Sequence, residues 1–121
     1  MGWSSFVTTN TPSNVVKYTA STFTAVDLSL SSVFEIDVDG DFTLDYINSP
    51  AGDNEAQYRV RLKVSATTPP VISYASGKFK APRNVSTLIT PDVGGIDTHY
   101  WDWDSTDSII EFNINRDIIS V

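Results

Sequence analysis

Cysteine is absent from this 121-residue sequence. That excludes disulfide staples, thiolate metal centres and a cysteine nucleophile, and it leaves the compartment open. Histidine occurs once, as His99. A serine triad would have only that base to use. No window holds the run of about 20 apolar residues that a membrane helix requires. The opening segment, Met1 to Asn10, has neither the basic start nor the apolar run of a secretory leader. Phe6 stands where a myristoylation signal carries Ser or Thr. Neither leader nor lipid anchor is expected.

Basic residues are also scarce. Eight Lys and Arg against 15 Asp and Glu leave a net charge of -7. So acidic a chain repels nucleic acid unless its cations cluster. Arg59, Arg61 and Lys63 do cluster, as do Lys78, Lys80 and Arg83. No aromatic base-stacking motif accompanies them. The first group reads as a solvated strand face opposite an acidic neighbour. Neither nucleic acid nor membrane is expected as a partner.

What is present is a β composition: Thr, Ser, Val, Ile and aromatics abound, and apolar residues make up 40%. The stretch Ala56 to Val64 is the plainest case. Tyr58, Val60, Leu62 and Val64 point one way, and Gln57, Arg59, Arg61 and Lys63 the other. Strict alternation marks a strand buried on one face. Phe34, Ile36 and Val38 alternate with Glu35 and Asp37, and Phe42, Leu44 and Tyr46 with Asp41, Thr43 and Asp45. Asp39-Gly40 between these two runs predicts a hairpin turn, or one long strand bent at a glycine bulge. Their acidic faces should pair with the basic face of Ala56 to Val64, each opposite-charge pair contributing about 0.2–1 kcal/mol.

Val15 to Leu30 predicts two strands broken at Ala20 to Thr22. Val71 to Ala75 and Val85 to Thr90 predict short strands, and Pro82 rules out a central strand at Ala81 to Asn84. Ile96 to Asp104 places Ile96, Thr98, Tyr100 and Asp102 on one face. Asp97, His99, Trp101 and Trp103 occupy the other. Ile110, Phe112 and Ile114 mark the last clear strand. The expected fold is all-β: a single β-sandwich or jelly-roll-like domain of about eight short, mostly antiparallel strands. It spans residues 1–121, with 1–13 an N-terminal arm or edge strand and 116–121 a tail able to enter an interface.

Chemistry-bearing groupings are weak. Asp37-Val38-Asp39-Gly40-Asp41 has its glycine fourth, where a calcium loop needs it sixth. Asp102, Asp104 and Asp107 gather at a turn and could hold a cation only with carbonyl help. Carboxylate pairs for glycoside hydrolysis occur on any acidic surface. His99, lone and flanked by aromatics, reads as structural. Asn84-Val85-Ser86 fits the glycosylation acceptor pattern as easily by chance as by design. No catalytic residue, metal or cofactor is assigned, and no enzyme activity is expected. Tyr100, Trp101 and Trp103, with Asp102 and Asp104, loosely form a sugar-stacking patch. The competing reading turns both tryptophans into the core.

The order of motifs from Asp41 onward, D-F-T-L-D-Y, A-Q-Y-R-V-R-L-K-V, G-K-F-K-A-P, T-L-I-T-P and I-D-T-H-Y-W-D-W-D, resembles a β-module of tailed-bacteriophage structural proteins. The matching positions are Gly40, Asp41, Thr43, Leu44, Tyr58, Val60, Leu62, Lys63, Lys78, Phe79, Pro82, Thr87, Leu88, Ile96 and Asp97. A Trp-Pro-Gly-like turn and a closing Trp-Tyr-Gly of that pattern are missing. The resemblance implies a non-enzymatic virion protein that works through its surfaces. A short chain with apolar ends, read as complete, suits a capsid decoration (cement) protein. Its partners would be the major capsid protein or other virion proteins, and its own copies, in a trimer. Trp3, Phe6, Ile118, Ile119 and Val121 are the candidate contacts. The alternative is a fibre-like adhesion module of the tail or neck that binds host carbohydrate through Tyr100, Trp101 and Trp103.

Overall fold

The structure, a computed structural model, describes residues 14–81, 88–89 and 92–118. In chain order its strands are β1 (Val15–Thr19), β2 (Val26–Asp27), β3 (Val33–Val38), β4 (Phe42–Leu44), β5 (Tyr46–Ile47) and β6 (Ala56–Val64). They continue with β7 (Ile72–Tyr74), β8 (Phe79–Lys80), β9 (Leu88–Ile89), β10 (Ile96–Asp104) and β11 (Ile109–Ile118). A single 3-10 turn, Ala20–Thr22, separates β1 from β2, where the break was expected. The chain is all-β.

Six strands form one sheet in the order β1-β3-β6-β10-β11-β8. The smaller sheets, β2-β5 and β4-β7-β9, join into a second layer. Only Asp45 separates β4 from β5, and the backbone alternates its hydrogen bonds between two edges there. Val26 and Leu28 donate to the carbonyls of Asp45 and Ile47 on one edge; Phe42 donates to Val71, and Leu44 accepts from Ala75, on the other. The two layers enclose one core, in which Phe34, Ile36, Val60, Leu62, Leu44 and Ile72 are fully buried. Rings cross it edge to face: Tyr46 lies 6.2 Å from Trp101 and 5.3 Å from Phe79.

Strand direction departs from expectation. Among the described residues five of the eight strand pairings are parallel: β1-β3, β3-β6, β2-β5, β4-β7 and β8-β11. The sheets are mixed, not mostly antiparallel. The Asp39-Gly40 corner explains part of this. β3 is paired on both edges, by β1 and β6, so no edge remains for a hairpin partner. The chain instead leaves the large sheet at Val38 and enters the second layer at Phe42. Gly40 is not among the glycines with left-handed φ, which a type I′ hairpin would require. Side chains fix the corner: Asp39 accepts the Ser21 N–H at 3.0 Å and Asp41 the Val71 N–H at 2.8 Å.

Gly77 does adopt a left-handed φ, +77°. A methyl group would meet nothing within 4 Å at either Gly77 or Gly40. Gly77→Ala should therefore cost about 1–2 kcal/mol by backbone strain alone. Gly40→Ala should stay within about 0.5 kcal/mol of the parent. Urea unfolding of the two variants measures the difference.

Candidate binding surface

The outer face of the six-stranded sheet is laid out in rows by the strand register. Val15, Val33, Arg59, Tyr100 and Asn113 stand side by side across five strands. The next rows begin Lys17, Glu35, Arg61 and Thr19, Asp37, Lys63. Charge is striped across the strands: positive on β1, negative on β3, positive on β6, and negative again at Asp102 on β10 and Glu111 on β11. Of the two acidic runs expected to pair with the basic face of β6, only that of β3 does; Asp41 and Asp45 lie in the second layer, bonded to the Val71 N–H and to Lys78. Glu35 lies 3.8 Å from Arg61 and 3.7 Å from Lys63. An open depression of about 520 Å³ runs between Lys17, Glu35, Asp37 and Lys63. Beside it, Val15 and Tyr100 are 47% and 46% exposed, which adds apolar area to a charged face.

Glu35 sits between two cations, its side chain only 18% exposed. Glu35→Gln should cost about 0.5–1 kcal/mol, because such half-screened pairs are modest. The loss should shrink in high salt. Urea titrations at two ionic strengths check both parts.

The aromatic patch suggested by the sequence is divided. Trp101 and Trp103 are 1% and 6% exposed. They belong to the inner face of β10, against Tyr46 and, for Trp101, Phe79. Tyr100 alone stands on the outer face. Alternation along the strand puts consecutive rings on opposite sides, so the three cannot form one sugar platform.

His99 is fully buried. Its Nδ1 lies 3.2 Å from the Tyr74 hydroxyl, and its ring is nearly parallel to Phe112, 6.0 Å away. Asp97, Thr98 and His99 are buried in succession, which breaks the expected alternation. There the pairing of β10 with β11 shifts register between Ile96 and Thr98, and such a bulge re-aims side chains.

The acidic turn does not converge. Asp104 accepts the backbone N–H groups of Thr106 and Asp107. Asp107 holds Lys80, and that bond, with Asp104 and Glu111 nearby, keeps the ammonium above the ordinary lysine value. Asp102 lies opposite Gln57 and Glu111 on the outer face. Asp39 and Asp41 likewise serve separate backbone groups. Among the described residues, no group of three or more His, Cys, Asp or Glu could hold a metal ion.

Of the candidate interface residues, Trp3, Phe6, Ile119 and Val121 lie outside the described residues. Ile118 ends β11, in register with Ile96. Two features of this surface escaped sequence reading. One is the adjacency of β1 to β3, set by a parallel crossover with no local signature. The other is the row that brings Val15 and Tyr100 onto one face. Compared with family models, curated proteins and solved structures, the chain finds no match in any of the three.

Proposed function

We infer that the chain is a non-enzymatic structural protein of a tailed-phage particle, a capsid decoration protein that binds the shell and its own copies. The observation that carries this reading is the outer sheet face. It is broad and striped with both charges, with half-exposed Val15 and Tyr100 set among the charges. Such a face suits docking on a surface of complementary charge. The order of motifs from Asp41 onward supports the same reading. Self-association has support of its own. Among the described residues, β1 has no strand on its outer side, and β8 covers β11 only at Ile110 and Glu111. Open edges on opposite sides of one sheet can join copies head to tail into a closed ring.

The purified protein should behave in light scattering as a small symmetric oligomer, a trimer, and should add to empty capsids of its phage. A strict monomer that leaves shells bare contradicts the reading.

A further inference from the structure

A second depression, of about 430 Å³, lies at one end of the sandwich, where the loop after β5, the turn before β8 and the turn before β11 meet. Its lining includes Tyr46, Asn48, Ser49, Lys78, Trp103 and Ser108. The volume falls in the range of small-ligand sites, about 300–1,000 Å³. From three independent observations we propose that this depression binds a neutral, polyhydroxylated ligand, a sugar residue.

The first is charge. Three other depressions on this acidic protein are lined by several charged groups, among them Lys17, Glu35, Asp37 and Lys63 in one and Glu55, Asp102, Asp104 and Glu111 in another, while a fourth has Arg59 as its one charged lining residue. Here Lys78 is the one charged lining residue, and it is neutralised. Its Nζ lies 2.6 Å from Asp45 Oδ1 and 2.9 Å from the Tyr46 carbonyl, and 4.9 Å from the centre of the Tyr46 ring. Neither an anion nor a cation is favoured in such a pocket.

The second is backbone conformation. Asn48 and Ser108 are the non-glycine residues with left-handed φ among the described residues, at 57° and 54°. Both line this depression. A serine in that conformation costs about 1–2 kcal/mol that glycine would avoid. Keeping side chains there presents an amide and a hydroxyl at the rim, and strain of this kind collects at binding sites. Asn48 is held in place by donating its Nδ2 to Asp27 Oδ1 at 3.0 Å.

The third is the floor. Tyr46 and Trp103 meet edge to face at 6.1 Å and are 5% and 6% exposed. They offer an apolar base under a polar rim. The Trp103 indole N–H is buried without an acceptor among the described residues. Hydroxyl and amide groups that both donate and accept match the hydroxyls of a sugar, and an apolar floor matches its C–H face.

The test is two-dimensional ¹H–¹⁵N NMR of the full chain titrated with the methyl glycosides of glucose, galactose, mannose and N-acetylglucosamine. At least one should shift the Trp103 indole and Ser108 amide signals saturably, with a dissociation constant of about 1 mM or tighter. Asn48→Gly and Ser108→Gly keep the left-handed backbone and remove the polar groups. Each should weaken binding roughly fivefold, the equivalent of one hydrogen bond, while the protein stays folded. The proposal is overturned if none of the four sugars gives a saturable shift. It is equally overturned if binding survives both glycine variants and is lost on Tyr100→Ala. Shell addition is unaffected by either result, because it uses the sheet face and not this end.

Discussion

Leu62→Asp should leave the chain without a cooperative unfolding transition, whereas Arg61→Gln, one residue away, should unfold within about 1 kcal/mol of the parent. Leu62 is fully buried in the middle of β6, flanked by β3 and β10. Replacing it forfeits a packed side chain worth about 2–5 kcal/mol. A carboxylate left there without a partner costs several kcal/mol more. Together these approach or exceed the whole stability of a small domain, about 5–15 kcal/mol. Arg61 lies on the outer face, its side chain 38% exposed, and contributes one ion pair with Glu35. Circular dichroism and tryptophan fluorescence across a urea gradient read both variants. Equal behaviour of the two would mean that burial along β6 does not alternate.

Trp101→Ala should destabilise the protein by about 3–5 kcal/mol, while Tyr100→Ala should change stability by no more than about 0.5 kcal/mol. Trp101 is 1% exposed and touches two of the rings that bridge the layers, Tyr46 and Phe79. Removing its indole opens a cavity between sheets that are paired on either side and cannot easily collapse. Tyr100 points outward at 46% exposure. Any loss of shell binding on Tyr100→Ala can then be assigned to the surface and not to the fold. A soluble Trp101→Ala protein as stable as the parent would place that ring outside the core.

These variants sit where the sequence is most legible. The alternation in Val33 to Val38 and Ala56 to Val64 names the buried face of each strand, because a period of two has one physical cause; in Ile96 to Asp104 the alternation holds only from His99 onward, past the bulge. The basic face of β6 could be matched to acidic β3 for the same reason: opposite charges spaced two residues apart find each other across a register. Strand direction could not be read this way. A side chain reports which face it occupies, but not whether its neighbour runs parallel or antiparallel. Asp39-Gly40 shows the limit. The dipeptide marks a change of direction, yet only the double pairing of β3 decides that the chain crosses to the other layer. Leu30 shows another: it continues the apolar pattern of Val26 and Leu28, but the chain turns after Asp27 and leaves it 57% exposed. The sugar-sized depression had no sequence signal, because its rim comes from three separate turns and from backbone torsions that Asn48 and Ser108 do not announce.

The surface account predicts abundance. Quantitative mass spectrometry of a purified, intact particle gives the copy number of this chain relative to the major shell protein. A number comparable with that of the shell subunits is what a protein covering the lattice through its sheet face requires. A handful of copies per particle, or none, contradicts it.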